Sequence, residues 1–145
     1  MADTSQPAHV YVLLGSGDGT FTSAVPYPAG TFFPLMDTIG DFDGDGRPDL
    51  AVGNADGAVY ILLGNGNGTF RSGVSFKIAV PQDSPSYIAP ADFDSDGVLD
   101  LAISSSGGTV SVYLGKGDGT FTLKFIIRQQ LLYIFANHHR LQRRR

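Results

Sequence analysis

The sequence predicts an all-β protein built from repeated units of about 50 residues. The segments VYILLGNGNGTF (59–70) and VSVYLGKGDGTF (110–121) align without a gap and lie 51 residues apart. All 14 acidic residues are Asp and 19 residues are Gly, so the composition favours turns over the helices that Glu would support. A period of this length is the size of a propeller blade or of a similar β unit.

Four short strands are predicted in each unit, because apolar runs rich in β-branched and aromatic residues alternate with glycine turns. The runs are LMDTIGDF, DLAVGN, AVYILLG and TFRSGVSF in one unit, and SYIAPADF, DLAISS, TVSVYLG and TFTLKF in the next. An earlier partial copy, VYVLLGSGDGTF (10–21), has no Asp-rich segment before it. We therefore expect an N-terminal extension (1–8), the outer half of a unit (9–33), two full units (34–80 and 81–125) and a basic tail (126–145).

An Asp-rich segment lies between the first and second predicted strands of each full unit. DFDGDGRPD (41–49) and DFDSDGVLD (92–100) share the pattern D-x-D-x-D-G-x-x-D and are also 51 residues apart. Two carboxylates about 4 Å apart repel by about 4 kcal/mol at an effective dielectric constant of 20, so the segment either spreads in solvent or surrounds a cation. Alternation turns the first, third and fifth side chains toward one centre, and Gly at the sixth position permits a sharp turn. Phe42 and Phe93, at the second position, are expected to point into the core.

The donor set of these segments is all oxygen, which suits a hard cation. Calcium accepts six to eight oxygen ligands with loose geometry, whereas magnesium requires a stricter octahedron and keeps its waters. Zinc and copper prefer nitrogen or sulfur, and the chain has no Cys and no His near either segment. An EF-hand would need an acidic residue at position 12 and flanking helices, but that position is Val52 or Ile103. Two copies in register with the repeat argue against ordinary solvated turns.

The glycine-rich stretches GNGNGT (64–69) and GKGDGT (115–120) are predicted to be hairpin turns. A phosphate-binding loop would need a helix N-terminus after the glycines, and a strand-like run follows instead. The tripeptide Asn67–Thr69 is also a glycosylation sequon, although its place in a tight turn favours a structural role.

The order of strand, DFDGDGRPDLAV, strand and LLGNGNGTF resembles the FG-GAP, or VCBS, repeats over roughly residues 9–125. Those repeats build the β-propeller of integrin α subunits and of many secreted bacterial and fungal proteins. The resemblance implies a partial β-propeller of about two and a half four-stranded antiparallel blades, with about two Ca²⁺ ions in the Asp-rich loops. The ligands it implies are the carboxylates of Asp41, Asp43, Asp45, Asp49, Asp92, Asp94, Asp96 and Asp100, and the backbone carbonyls of Arg47 and Val98.

The blade count and the tail depart from the family pattern. Family propellers usually have about seven blades and closed propellers need at least about four, so we expect a fragment, a truncated product or a protomer that needs further blades. Residues 1–122 have a net charge of −10, whereas residues 123–145 carry six basic side chains. The tail matches no blade. The favoured interpretation of the tail is sequence from a disrupted reading frame. The alternatives are an amphipathic helix, a membrane-surface patch and a nucleic-acid patch.

The function predicted from these features is a calcium-stabilised interaction module of an extracellular or cell-surface protein, with a protein or carbohydrate ligand. The alternatives are a scaffold within a secreted hydrolase or lyase and a scaffold that only joins other domains. We expect no catalysis by this chain, because it has no Glu and its three histidines are His9, His138 and His139. We also expect no nucleic-acid partner. The sequence has no signal-peptide pattern at its start and no apolar run of about 18 residues.

Overall fold

The computed structural model describes residues 8–128, and all regular secondary structure in that range is β-strand. The all-β prediction is therefore confirmed for these residues. The described part of the chain also contains no helix that could cross a membrane. The strands are β1 (His9–Val12), β2 (Val25–Pro28), β3 (Pro34–Gly40), β4 (Asp49–Asn54), β5 (Ala58–Gly64), β6 (Phe70–Lys77), β7 (Pro85–Ala91), β8 (Asp100–Ser105), β9 (Thr109–Gly115) and β10 (Phe121–Arg128).

The strands form three antiparallel sheets in chain order. Strands β1 and β2 form a two-stranded sheet, here called the hairpin; β3 to β6 form sheet 1, and β7 to β10 form sheet 2. Each four-stranded sheet is a meander in which every strand pairs with its neighbour in sequence. The register repeats as well: Leu50 pairs with Leu62 in sheet 1, and the equivalent Leu101 pairs with Tyr113 in sheet 2.

Sheet 1 lies between the hairpin and sheet 2 and is apolar on both faces. Because successive side chains of a strand point to opposite faces, Leu50 and Val52 of β4 pack toward the hairpin while Ala51 packs toward sheet 2. All six residues of β4 are buried for this reason. The main core lies between the two four-stranded sheets, and its buried members are Phe42, Ala51, Val59, Ile61, Leu63, Ile78, Ile88, Leu101, Ile103 and Tyr113.

The three sheets stack in a row and, within residues 8–128, do not close into a ring. Strand β10 continues to Arg128, so the first residues of the predicted basic tail pair with β9. Phe125 lies opposite Val112 and Ile127 opposite Val110, and this apolar alternation continues the strand beyond the expected boundary at residue 125. The rest of the predicted tail (129–145) and most of the predicted extension (1–7) lie outside the described residues.

Two glycines allow the end of a strand to approach the Asp-rich loop of the same sheet. A Cβ added at Gly64 would overlap the carbonyl oxygen of Pro48, and one added at the equivalent Gly115 would overlap that of Leu99. Gly15 occupies the same place in the partial repeat, where no Asp-rich loop precedes it. A Cβ there would meet only the ring of Phe21, at 3.9 Å. The need for Gly therefore comes from the loop and not from the turn that follows.

We predict that Gly64→Ala lowers the free energy of unfolding by about 1–3 kcal/mol, because the new methyl group forces the strand away from the loop. Gly15→Ala is the matched control and should change it by less than about 1 kcal/mol. Urea unfolding followed by circular dichroism measures both values. Equal effects of the two substitutions would contradict this role of Gly64.

Candidate metal centre

Each Asp-rich segment is the loop between the first and second strands of a four-stranded sheet. The loop of sheet 1 joins β3 to β4, and the loop of sheet 2 joins β7 to β8. Two residues of each loop have positive φ: Gly44 (73°) and Gly46 (80°) in the first, and Ser95 (65°) and Gly97 (88°) in the second. Ser95 adopts a conformation that is strained for a residue with a Cβ, so the backbone path of the loop is kept even where Gly is absent.

The first aspartate of each loop organises the turn. Asp41 accepts hydrogen bonds from the backbone N–H groups of Asp45 (3.1 Å) and Gly46 (2.9 Å). Asp92 does the same in sheet 2, where its Oδ2 accepts from the N–H of Gly97 at 2.9 Å. The short Asp side chain reaches backbone donors a few residues ahead, as in other Asx turns. The loop therefore wraps around its first carboxylate.

The last aspartate of each loop is buried and fixes both ends of it. Asp49 accepts from the N–H of Phe42 at 2.8 Å and from the N–H of Gly64 at 2.7 Å. Asp100 repeats this pattern in sheet 2, with the N–H groups of Phe93 (2.8 Å) and Gly115 (2.9 Å) as donors. One carboxylate thus joins the start of the loop, its own strand and the end of the next strand.

Three carboxylates of each loop converge on one point. Oxygen atoms of Asp41, Asp43 and Asp49 all lie within 4.8 Å of one another. Asp92, Asp94 and Asp100 form the same group in sheet 2. The structure thus brings together the first, third and ninth residues of each predicted ligand set.

The fifth residue of each predicted set accepts a hydrogen bond from the backbone of its own loop. The Oδ1 atom of Asp45 accepts from the N–H of Arg47 at 2.9 Å, and that of Asp96 accepts from the N–H of Val98 at 2.8 Å. Neither aspartate belongs to the groups of converging oxygens. Ligation by Asp45 and Asp96, and by the carbonyls of Arg47 and Val98, stays a prediction.

Repulsion between carboxylates is visible in the electrostatics of the first loop. The pKa of Asp49 is raised above its usual value, first by burial and also by the nearby negative charges of Asp43 and Asp45. Hydrogen bonds from Gly64 and Phe42 oppose this shift only in part. Outside the loop, the guanidinium of Arg71 lies 3.3 Å from Asp43. The equivalent residue of sheet 2 is Thr122, which carries no charge.

The converging oxygens fit a hard cation. Calcium lies about 2.3–2.6 Å from its oxygen ligands, so two of its ligands are at most about 5 Å apart. The converging oxygens of each loop, all within 4.8 Å of one another, satisfy that bound. The converging donors are carboxylate oxygens, which zinc and copper do not prefer over nitrogen and sulfur. A divalent ion would be held by Asp41, Asp43 and Asp49 in one loop and by Asp92, Asp94 and Asp100 in the other, and it would neutralise their crowded charge.

The two loops differ in the burial of their phenylalanine. Phe42 is fully buried and stacks edge-on against Phe121 of sheet 2, with ring centroids 5.8 Å apart. Phe93 is 49% exposed, so the expectation that it points into the core is wrong for the described residues. The reason is that sheet 2 covers the loop of sheet 1, whereas no described residue covers the loop of sheet 2 in the same way.

A contact between the two sheets was not predicted from the sequence. The N–H of Gly119, in the turn between β9 and β10, donates to the carbonyl of Phe42 at 2.9 Å. The first Asp-rich loop is therefore joined to the neighbouring sheet by its backbone as well as by the ring of Phe42. Only one Asp-rich segment of the sequence is followed by the glycine turn of a further repeat, so no repeated spacing signals this contact.

These features define a class of protein: repeated antiparallel β-meanders, each with a candidate cation loop between its first two strands. The family model described as FG-GAP-like repeat matches residues 41–103, which run from the first Asp-rich loop into β8. Residues 41–103 are thus similar to FG-GAP-like repeats, which confirms the resemblance predicted from the sequence. Comparisons with curated proteins and with solved structures give no match.

We predict that Asp49→Ala destabilises the metal-free protein more than Asp43→Ala. Removing Asp49 leaves the N–H groups of Phe42 and Gly64 without their acceptor, at about 1–3 kcal/mol for each buried donor. Removing Asp43 loses an exposed ion pair with Arg71, which contributes about 0–1 kcal/mol. Urea unfolding in chelator compares the two variants, and a larger loss for Asp43→Ala would contradict the structural role of Asp49.

Proposed function

We propose that this chain is a calcium-binding β-propeller repeat module in which calcium has a structural role. The observation that carries the proposal is the pair of equivalent carboxylate groups, Asp41–Asp43–Asp49 and Asp92–Asp94–Asp100, at the same place in two equivalent sheets. A single acidic loop would be weak support, since exposed acidic groups are common. Two loops with the same backbone hydrogen bonds, both within the match to FG-GAP-like repeats, favour the same kind of ligand in each.

The stacking of the sheets supports the propeller part of the proposal. Each four-stranded meander has the strand order of a propeller blade, and sheet 1 packs face to face with the sheets before and after it. The hairpin corresponds to the outer two strands of a blade, because β1 and β2 match β5 and β6 in sequence. Further blades, from the same or another chain, would complete the propeller.

Calcium would act by removing the repulsion within each loop. The ion would be held by the three converging carboxylates, and the proposed further ligands are Asp45, Asp96 and the carbonyls of Arg47 and Val98. Asp49 already ties the loop to two strands, so an ion bound to it would extend that connection to the tip of the loop. We propose no catalytic role for these loops, because a bound ion and backbone donors would occupy their carboxylates.

We propose an extracellular or cell-surface setting with a protein or carbohydrate ligand. Extracellular calcium modules bind the ion with dissociation constants of about 10⁻⁴–10⁻³ M, so the proposed setting predicts calcium binding in that range. A glycan array probed in calcium and again in chelator tests the carbohydrate alternative. Calcium-dependent binding to one glycan class is the expected result for a lectin-like module, and an empty array would remove that alternative.

We predict that about two calcium ions bind per chain, because two equivalent loops are present. Isothermal titration of the wild type should give a stoichiometry near two, and Asp43→Ala or Asp94→Ala should each reduce it to near one. Asp37→Ala is the matched control, since it removes an exposed aspartate of β3 outside both loops. A folded wild-type protein that binds no calcium would overturn the proposal.

The same variants test whether bound calcium stabilises the fold. At ten times the dissociation constant, each site adds about 1.4 kcal/mol to the free energy of unfolding if the unfolded chain does not bind. The melting midpoint of the wild type should therefore rise with calcium and fall again with chelator. In the Asp43→Ala/Asp94→Ala double variant the midpoint should not respond, and a response equal to that of the wild type would place calcium elsewhere.

A further inference from the structure

The chain contains two interfaces between successive sheets that use the same contact. Phe70 of sheet 1 packs against Tyr27 of the hairpin with ring centroids 5.4 Å apart. Phe121 of sheet 2 packs against Phe76 of sheet 1 at 5.8 Å. Phe70 and Phe121 are equivalent residues of successive repeats, and so are Tyr27 and Phe76. Equivalent aromatic pairs thus join the hairpin to sheet 1 and sheet 1 to sheet 2.

A leucine and a glycine turn repeat together with that pair. Leu14 of the partial repeat lies over Gly68, where an added Cβ would overlap it. The equivalent Leu63 of sheet 1 lies over Gly119, 3.2 Å from the position of a Cβ. The two interfaces therefore share a two-part pattern: a ring against a ring, and a leucine of the preceding sheet over a glycine turn.

Sheet 2 carries the first half of a third such interface on its outward face. Phe93 is equivalent to the fully buried Phe42 but is 49% exposed. Ile127, equivalent to Phe76, is 55% exposed, and Tyr87, equivalent to Met36, is 67% exposed. We call this surface the open face of sheet 2, and its exposed apolar members are Tyr87, Phe93, Val110, Phe125 and Ile127.

The hairpin carries the second half. Phe21 occupies the place of Phe70 and Phe121, and it is 68% exposed because no described sheet precedes it. Tyr11 and Leu13, on the same outward side of the hairpin, are also exposed. We call Phe21, Tyr11 and Leu13 the open face of the hairpin. Within residues 8–128, the hairpin and sheet 2 therefore each carry an open face, and the two faces have the residue types that meet at the internal interfaces.

We infer that two copies of this chain associate head to tail, with the open face of the hairpin of one copy on the open face of sheet 2 of the other. Phe21 of the second copy would contact Phe93 and Ile127, as Phe121 contacts Phe42 and Phe76 within one chain. The N–H of its Gly19 would donate to the carbonyl of Phe93, as that of Gly119 donates to Phe42. A second copy is the occupant because one chain supplies both halves of the contact.

This interface joins different surfaces on the two copies, so it is heterologous and can add further copies. It goes beyond the proposed calcium role and does not depend on it, because the contacts are apolar or backbone to backbone. Exposed apolar surface of this extent in one patch is typical of sites that bind another protein. Association through a sheet edge or through a charged patch would not bring the same residue pairs into contact.

Size-exclusion chromatography with light scattering on the full chain tests the inference. The wild type should show an average mass above the 15.4 kDa of one chain that rises with concentration. Phe21→Asp and Ile127→Asp should each return the mass to one chain, since both side chains are exposed and neither belongs to the buried core. Phe33→Asp is the matched control, because Phe33 is 80% exposed and lies on neither open face.

Mixing the two variants separates this geometry from other modes of association. Phe21→Asp keeps an intact open face on sheet 2, and Ile127→Asp keeps an intact hairpin, so their equimolar mixture should form a species of two chains and no larger one. A monomeric wild type would overturn the inference. Association that survives either substitution, or a mixture that stays monomeric, would overturn it as well. Circular dichroism of each variant should match the wild type in the monomeric state.

Discussion

The buried carboxylate at the end of each Asp-rich loop is the interaction on which the rest of each repeat depends. Asp49 joins the first residues of the loop, through the N–H of Phe42, to the end of β5, through the N–H of Gly64. It is completely buried and its pKa is raised, mainly by burial, so the ionised form is held at a cost that these two donors reduce. Without this connection neither the position of the loop nor the approach of β5 to it would be fixed.

A consequence is that the candidate cation loop and the sheet core share a residue. The N–H of Phe42 donates to Asp49, its carbonyl accepts from Gly119 of sheet 2, and its ring lies in the core against Phe121. Residues that hold the loop closed therefore also hold sheet 2 against sheet 1. Folding of the loop and stacking of the sheets are coupled through the backbone and the side chain of Phe42. An ion that organised the loop would strengthen both.

Much of this arrangement could be predicted from the sequence, because the repeat sets the strands and the loops together. Local pattern and the constant offset of 51 residues predict four strands per unit and the loop between the first and second strands. They also predict the convergence of Asp41 with Asp43. The different burial of Phe42 and Phe93 could not be predicted, because their local sequences are nearly identical. Burial there is decided by the neighbouring sheet, which acts at long range. The ion pair of Asp43 with Arg71 escaped prediction for the same reason, since the pair joins residues 28 positions apart.

The contrast between equivalent residues also shows why the stack has a direction. Each four-stranded sheet presents a different set of residues on its two faces, and within residues 8–128 each interface joins opposite faces of successive sheets. Phe76 meets Phe121 and Tyr27 meets Phe70, but no described contact joins two copies of the same face. A contact of this kind is heterologous, because it joins different surfaces of successive sheets. The exposure of Phe21 at one end and of Phe93 at the other follows directly from this asymmetry. The contacts that order the sheets within residues 8–128 thus also determine which apolar side chains of the hairpin and of sheet 2 face outward.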